Sequence, residues 1–438
     1  MLKRIFCILV ALIMMMGCFS GCGKESEGSG GANKGETSLP ELKITSDKVK
    51  WLCWDSQEDL DNPKTALGFI NSQLKEKYGC SVEIVRTNYQ ELTSKAIQLI
   101  LSDQSPDMVF FKMADFPNFI LNGLVDDVSK HIDTSDSFWD YLKENPLRYR
   151  GVDYNCYVRT TSAGRTYFNR KMFENAGLET PYDLYKKNEW TWDKFLEIAK
   201  ELNQDTNGDG TVDVYGGTVT AIDAYMSCGE DFVTLNEDGT FSNNIRSKKI
   251  GKFMDVLFDI NKLGCSGGDI WEGNCAMLVD SSWQVSSYRE KFIDGTIGVA
   301  PAPRMGDSDE WYTLANYSGL WLCKGAKNPG GALAWAAVSR WLQDTEEGRK
   351  VFDEYEKQFN YPDDVKEVTK WCESGENQTP ILGRVAGVGN FGQDEIFKMF
   401  NNTLDWGTPW STNVETTYPI LQTQIDTINA KLITENEY

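Results

Sequence analysis

The chain has 438 residues, of which 41% are apolar and 25% charged, so it is long enough to form two hydrophobic cores. Its formal net charge of −21 argues against binding to nucleic acid or to an anionic lipid surface, because phosphate groups require faces rich in Lys and Arg. His131 is the only histidine. A multi-histidine metal site is therefore excluded, and a histidine-dependent catalytic triad has one candidate, which lies in a polar stretch typical of a protein surface.

The amino-terminal segment has the features of a targeting signal. A basic pair precedes the apolar run 5–19, which ends in small residues before Cys22, and a Gly/Ser/Lys-rich stretch follows. This order resembles the lipidation signal of bacterial lipoproteins, with Cys18 as a competing site. It predicts a signal peptide over 1–21, a lipid on Cys22 and a flexible tether over 22–47. No later stretch of about 18 residues is apolar, so we expect a protein anchored to the membrane without spanning it.

Cysteine usage leaves the redox state of the mature chain open. Eleven cysteines less the three in or next to the targeting segment leave eight, and an even number permits disulfides outside the cytoplasm. Three of them, Cys53, Cys275 and Cys323, lie inside apolar, strand-like runs. Cysteine in such runs behaves as a small apolar residue, so the sequence favours free, buried thiols.

Strand and helix signals alternate in the first part of the chain. This order predicts a doubly wound parallel sheet, and hence an α/β fold. In open sheets of this kind, ligands bind beyond the carboxyl ends of the strands. The predicted elements are a strand at Val49–Trp54, a helix at 62–78, a strand at 81–86, a helix at 89–101 and a strand at Met108–Phe111.

Further helix signals follow along the chain. Thr191 is a predicted N-cap, with Asp193 in the first helical turn. Residues 247–263 have helical spacing of apolar side chains, and Gly264 ends the pattern. An amphipathic helix is predicted near the carboxyl end, at about 416–432.

An acidic loop between the helix that begins after Thr191 and the helix at 247–263 has the spacing of a calcium-binding loop. Oxygen-bearing side chains occupy positions 1, 3, 5 and 9, and a glycine occupies position 6. Gly216 stands at position 12, where a bidentate glutamate is expected, so the match is partial. We expect a structural calcium ion or, alternatively, a surface turn without an ion; a catalytic metal and a required cofactor are not expected. The candidate ligands are Asp205, Asn207, Asp209, Thr211 and Asp213.

Residues 274–283, NCAMLVDSSW, join a short apolar run to a polar turn and a tryptophan. A buried strand followed by such a turn is suited to holding Trp283 at the mouth of a cleft. An indole has only two side-chain torsions and stacks on the C–H face of a sugar. The alternative is a core residue at the end of a strand. Trp406 and Trp410 are ligand candidates from composition alone, with core packing an equal alternative.

Four groups of segments, in this order along about 48–356, resemble the extracellular solute-binding proteins of family 1, the maltose-binding-protein-like group. Arg170 stands where that family has a lysine. The segments are LILSDQSPDMVFF with FPNFILNGLVDDVSKHID, TYFNRKMFENAGLETPYD with WTWDKFLEIAKEL, AMLVDSSW, and IGVAPAPR with YSGLWLCKGAKNPGGALAWAAVSRWLQDTEEG.

The resemblance implies a two-lobed periplasmic-binding-protein fold of type II, with a hinge and an interlobe cleft. It implies one lobe from 48–160 and 300–352 and another from 161–299 and 353–438, with the chain crossing back at about Val299–Pro301. The implied protein is a non-catalytic monomer on the outer face of a bacterial membrane. It would capture a carbohydrate, in the first instance an oligosaccharide, and deliver it to the permease of an ABC transporter.

The resemblance also assigns roles to single residues. It places Trp283 on the family's sugar-stacking tryptophan and Asp55 and Asp115 on loops that supply polar ligands. It places Tyr167 near a crossing, facing either cleft or hinge. Two other classes remain open. A glycosidase would use a pair of carboxylates, and a binding protein for a peptide or polyamine would suit the acidic balance, although the aromatic excess favours sugar.

Overall fold

The computed structural model describes residues 38–110, 112–144, 147–162, 164–220, 224–374, 377–381 and 387–434. The predicted signal peptide and Cys22 lie outside these residues. Within them, no helix is both long enough and apolar enough to cross a membrane.

The strands of the described residues are short, apart from one that is much longer than the others. In chain order they are β1 (Lys48–Cys53), β2 (Ser81–Arg86), β3 (Met108–Phe110), β4 (Asn155–Ser162), β5 (Arg165–Asn169), β6 (Thr218–Val219), β7 (Val233–Leu235), β8 (Phe241–Asn243), β9 (Met277–Asp280), β10 (Ile297–Pro301), β11 (Trp311–Leu322) and β12 (Gln378–Ile381).

The helices surround these strands, and several 3-10 turns join them. The α-helices are α1 (Gln57–Asp61), α2 (Ala66–Tyr78), α3 (Leu92–Leu101), α4 (Asn118–Leu121), α5 (Arg170–Ala176), α6 (Pro181–Lys186), α7 (Trp192–Leu202), α8 (Lys248–Leu263), α9 (Gln284–Ser287), α10 (Arg289–Ile293), α11 (Pro329–Asp344), α12 (Glu346–Glu356), α13 (Asp363–Ser374), α14 (Gly389–Leu404) and α15 (Trp410–Thr434). The 3-10 turns are Met113–Asp115, Val128–Lys130, Ser137–Glu144 and Tyr225–Cys228.

The described residues form two compact units, and the first contains the described residues up to Lys112 together with those of 116–159 and 317–358. In this unit β1 runs parallel to both β2 and β3, and the end of β11 runs antiparallel to β3. The strand β3 is buried throughout and β1 is buried apart from Lys48 and Lys50, since α2 and α11 pack together on the sheet. This is the parallel α/β arrangement that the alternation of signals predicts.

The last part of the predicted tether packs on the first unit. The Tyr78 hydroxyl donates to the Pro40 carbonyl oxygen over 2.8 Å, and the backbone N–H of Thr45 donates to Asn328 Oδ1 over 3.0 Å. A side chain on Gly330 would collide with the Lys43 carbonyl oxygen. The predicted free tether over 22–47 therefore extends too far, because the stretch from about residue 40 is hydrogen bonded to the unit that it precedes.

The second unit contains 113–115, 160–316 and the chain after residue 358. Its main sheet has the order β10-β5-β9-β6, with β5 antiparallel to both neighbours and β6 parallel to β9. The strands β7 and β8 form a separate hairpin, and β12 pairs in parallel with the first residues of β11. Helices α8, α14 and α15 pack against one another in the same unit.

The boundary that was predicted at Val299–Pro301 lies further along the chain, between 316 and 317. Residues after β10 stay on the second unit because they are bonded to it. The N–H of Ala302 donates to the Gly164 carbonyl over 2.8 Å, and the N–H of Trp192 donates to the Arg304 carbonyl over 3.0 Å. The later boundary also moves, from 352 to 358, because α12 continues without a break through Glu356.

The cysteines whose side chains the structure describes are all buried, as the sequence indicated, and the thiols of Cys53, Cys80, Cys228, Cys265, Cys275 and Cys323 are free. They lie in the cores of the two units, where a cysteine side chain packs like a small apolar residue. They are Cys53, Cys80, Cys228, Cys265, Cys275, Cys323 and Cys372.

Candidate ligand-binding site

One edge of the second unit's sheet carries the turn that leads to Trp283. Strand β9 ends at Asp280, which pairs with Arg165 at the start of β5. Pro301 at the end of β10 pairs with the same arginine. The turn that leads to Trp283 therefore leaves the sheet where two strands end and a third begins.

Buried polar groups hold this turn in one conformation. Asp280 Oδ1 accepts from the N–H of Ser281 over 2.7 Å, and Gln284 Nε2 donates to Asp280 Oδ2 over 2.5 Å. The Tyr167 hydroxyl donates to the Ser281 carbonyl oxygen over 2.7 Å. Asp280 and Gln284 are both buried, so these bonds are shielded from competition by water.

Trp283 stands at the start of α9 and is half-buried. Its carbonyl oxygen accepts from the Ser286 hydroxyl and the Ser287 N–H. Among the described residues, no aromatic ring packs on its indole, although many other tryptophans of the chain have ring partners. A fixed backbone with an indole that has no ring partner fits the predicted stacking role, which stays a prediction.

Tyr167 is placed differently from the ligand contact that the sequence suggested. The side chain is 0% exposed, and its ring lies between Trp271 and Phe292, with centroids 5.8 and 5.7 Å away. Its hydroxyl is already bonded to Ser281. A fully enclosed ring has no surface to offer a ligand, so the described geometry gives this tyrosine a supporting role inside the second unit.

The first unit carries an aromatic cluster at the carboxyl ends of its parallel strands. Trp54 follows β1, and its ring lies edge-on to Phe110 at 4.4 Å and to Tyr89 at 5.2 Å. Lys112 Nζ lies 4.3 Å from the Tyr89 ring centroid. Sequence reasoning missed Trp54 and Tyr89. The available signal was their position at or shortly beyond the carboxyl ends of two predicted strands, at the edge where ligands of open sheets bind.

Asp55 lies next to Trp54 and is 2% exposed. Its Oδ1 atom has no hydrogen-bond partner among the described residues. Burial raises the pKa of this carboxyl to about 7, and the nearby charge of Asp59 raises it further, against a hydrogen bond from the Cys53 thiol. A buried oxygen without a partner at this edge is a candidate acceptor for a ligand hydroxyl.

The stability of the protein should therefore fall as the pH rises towards neutrality. Between the ordinary value of 3.8 and about 7, the unfolded chain has lost the Asp55 proton while the folded chain keeps it. The free energy of unfolding then decreases with pH by about 2 kcal/mol between pH 5 and pH 7. In Asp55→Asn this part of the decrease should vanish, as measured by urea unfolding from pH 5 to 8.

Asp61→Asn is the matched control, because it removes an exposed carboxylate from the adjacent helix α1. The part of the decrease that Asp55 causes should remain in this control. An unchanged pH dependence in Asp55→Asn would show that this carboxyl ionises at its ordinary pKa.

The remaining ligand candidates lie in the second unit. Asp115 is buried in the turn Met113–Asp115, which packs against α14. Trp406 is 79% exposed. Trp410 is half-buried, and its indole Nε1 comes so close to Gly251 that a methyl group added there would lie 3.1 Å from it. The packing of Trp410 on α8 favours the core alternative for that residue, whereas Trp406 has most of its surface free.

The predicted calcium loop is exposed, and its side-chain oxygens are engaged in turns. Asp205 accepts from the N–H groups of Gly208 and Gly210 over 2.7 and 2.8 Å. Asp213 accepts from the N–H and the hydroxyl of Thr206, and the Thr206 hydroxyl holds the pKa of that carboxyl below its ordinary value. Within the described ranges, no group of three or more His, Cys, Asp or Glu side chains is arranged to hold a metal ion.

Calcium binding by the loop therefore stays a prediction, and the geometry gives it a direct test. If the ion binds, millimolar calcium should raise the melting temperature of the parent and leave Asp209→Ala unchanged, since binding to the folded state alone stabilises it. If calcium does not change the melting temperature of the parent, the loop is a hydrogen-bonded turn that binds no ion.

The profile of the family described as bacterial extracellular solute-binding protein matches residues 59–347, well over half of the chain. No curated protein matches the sequence.

Solved structures match over nearly the whole chain. A maltose/maltodextrin-binding domain from Bdellovibrio bacteriovorus, bound to maltotriose, is 16% identical, covers 86% of this chain and 100% of its own, and has a TM-score of 0.62. An ABC substrate-binding protein from Listeria monocytogenes, in complex with cycloalternan, is 17% identical, with 88% and 98% covered and a TM-score of 0.63. A solute-binding protein from Thermotoga lettingae, bound to α-D-tagatose, is 17% identical, with 87% and 100% covered and a TM-score of 0.62.

Identities this low establish a shared fold and leave the ligand open. The fold matches confirm the predicted two-lobed α/β class, and the family profile confirms the resemblance that the sequence motifs indicated. On these grounds the chain belongs to the family of bacterial extracellular solute-binding proteins.

Proposed function

We propose that the chain is the substrate-binding lipoprotein of an ABC importer and that it captures a carbohydrate between its two lobes for delivery to a membrane permease. The observation that carries this proposal is the half-buried indole of Trp283, which has no ring partner in the part of the chain that the structure describes and stands on a turn that buried hydrogen bonds hold in place. Such an indole is suited to stacking on a pyranose face. The saccharides bound by proteins of the same fold support the same ligand class.

The charged groups near the two sheet edges favour a neutral ligand. Lys112 Nζ donates to the Tyr89 carbonyl oxygen, Arg165 Nη1 lies 3.4 Å from the Ser282 carbonyl oxygen, and Asp280 accepts within its own turn. A polyamine or a charged peptide needs carboxylates that are ionised and accessible. A sugar needs acceptors and aromatic faces. Asp55 is an acceptor in the first unit, and Trp283 is an aromatic face in the second.

Capture would work as a shift between two conformations. A ligand that touches both lobes stabilises the closed form by its extra contacts, and only that difference in affinity changes the population. The closed form would then dock on the permease. The protein supplies binding and orientation in this scheme and performs no chemistry on the sugar.

Attachment to the outer face of the membrane would depend on Cys22. In cells fed an alkyne-tagged palmitate, the parent should be labelled and Cys22→Ser should not, because the thiol is the acylation site. Cys18→Ser serves as the control and should keep the label. Loss of the label in Cys18→Ser with retention in Cys22→Ser would move the anchor to the competing site.

Calorimetry against three groups of compounds tests the ligand class. Neutral oligosaccharides and monosaccharides should give saturable heats, while spermidine and short basic peptides should give none. Chromatography of each saccharide after prolonged incubation should recover it intact. Tight binding of spermidine or of a peptide would replace the sugar proposal, and hydrolysis of any glycan by the pure protein would replace the binding-protein proposal with a glycosidase.

A further inference from the structure

An aromatic cluster, which we call the aromatic base, lies beneath the segment that carries Trp283. It consists of Tyr167, Trp271, Tyr288 and Phe292. Tyr167 contacts Trp271 and Phe292, and Trp271 stacks face to face on Tyr288 with ring centroids 3.9 Å apart and planes 1° apart. Tyr167, Trp271 and Phe292 are buried, so the base is part of the second unit's core.

The aromatic base holds the segment 280–288 at both ends. On one side of Trp283, the Tyr167 hydroxyl donates to the Ser281 carbonyl oxygen over 2.7 Å. On the other side, the N–H of Tyr288 donates to the Gln284 carbonyl oxygen over 3.0 Å while its ring stacks on Trp271. Movement of the tryptophan backbone would therefore break contacts on either side of it.

Two further side chains hold the middle of this segment. Arg165 Nη1 lies 3.4 Å from the Ser282 carbonyl oxygen, and Gln284 Nε2 donates to Asp280. These groups and Tyr167 all come from buried positions. Buried side chains thus fix the backbone on the amino-terminal side of Trp283. The Trp283 indole itself has no ring partner among the described residues.

We propose that Tyr167 is a positioning residue, which fixes the orientation of the Trp283 indole through its hydrogen bond to Ser281 and thereby preorganises the ligand surface. The proposal rests on the proposed function for the identity of that surface. Burial holds the pKa of the Tyr167 phenol above its ordinary value, so the hydroxyl remains a donor at any physiological pH. Preorganisation raises affinity because less conformational freedom is lost on binding.

Fluorine NMR tests the proposal without a ligand. All fourteen tryptophans are labelled as 5-fluorotryptophan, and the Trp283 resonance is assigned by its loss in Trp283→Phe. Tyr167→Phe keeps the ring packing and removes the bond to Ser281, so we expect the Trp283 resonance to shift or broaden selectively. Tyr182→Phe is the matched control, since it removes another hydroxyl of the same unit, bonded to the exposed Glu367.

Saccharide titration of the same samples gives the second readout. We expect Tyr167→Phe to weaken binding about fivefold, the effect of one neutral hydrogen bond, with Tyr182→Phe unchanged. Gln284→Met, which removes the donor to Asp280, should also perturb the Trp283 resonance and keeps the test valid if Tyr167→Phe fails to fold.

Each outcome separates this proposal from the function on which it rests. A Trp283 resonance that is identical in parent, Tyr167→Phe and Gln284→Met overturns the positioning role, whatever the protein binds. A perturbed resonance with unchanged saccharide affinity also overturns it, because the orientation would not matter for binding. A perturbed resonance in a protein whose parent binds no saccharide supports the positioning role and overturns the proposed ligand.

Discussion

Replacing Trp283 by alanine should weaken the binding of the preferred saccharide by about 2 kcal/mol or more, which is roughly 30-fold in Kd. The indole stands on the turn that follows β9 and has no ring partner among the described residues, so its loss removes a stacking surface and leaves the core of the second unit intact. Isothermal calorimetry on the saccharide identified by the panel measures the change, and the melting temperature should stay close to that of the parent.

Trp406→Ala is the matched comparison, because it removes an indole that is 79% exposed from the same unit. We expect its effect on affinity to be much smaller, since no hydrogen bond or ring contact with another described residue holds this exposed indole in one orientation. Equal losses from the two substitutions would mean that binding does not depend on the β9 turn. Unchanged affinity in Trp283→Ala would return this residue to a packing role.

Replacing Asn328 by alanine should lower the free energy of unfolding by about 3 kcal/mol. This side chain is 1% exposed and joins three stretches of the first unit. Its Nδ2 donates to the carbonyl oxygens of Ser46 and Lys48, both over 2.9 Å, and its Oδ1 accepts from Thr45 and caps α11 at Gly331. Alanine would remove the hydrogen-bond partner of these part-buried backbone groups together with the N-cap of α11.

The measurement is urea unfolding, followed by far-ultraviolet circular dichroism. Asn122→Ala is the control, because its amide makes one exposed bond to the Asn118 carbonyl, and it should change stability by less than about 0.5 kcal/mol. If Asn328→Ala unfolds like the control, the segment before β1 contributes nothing to the stability of the first unit, and the docked tether residues would be incidental.

Much of the local structure was predictable because it depends on neighbours in sequence. Thr191 accepts from the Lys194 N–H as the N-cap of α7, and Ser247 and Gly264 bound α8 as expected. The helix predicted from residue 62 begins at Ala66, where Thr65 caps it. The terminal helix begins at Trp410, earlier than the apolar spacing indicated. Errors of this kind arise at the ends of helices, because capping residues decide where a helix begins and the spacing of apolar residues carries no information about it.

The site was only partly predictable. The Ala-Met to tryptophan spacing identified Trp283, and the end of β1 identified Asp55, because both lie directly after strands. Trp54 and Tyr89 were missed, since only the parallel pairing of β1 with β2 and β3 brings them together. Tyr167 was read as a ligand contact, because a sequence does not show which face of a strand is enclosed.

The sequence by itself determined the class of the protein, the order of its elements and the strand ends that matter, since these follow from composition, periodicity and motif spacing. The tertiary structure decided which side chains are accessible to a ligand and which are buried and hold other residues in position. Burial encloses Tyr167 and raises the pKa of Asp55, and backbone hydrogen bonds keep residues 302–316 on the second unit. These outcomes depend on groups far apart in the chain, which no local pattern records.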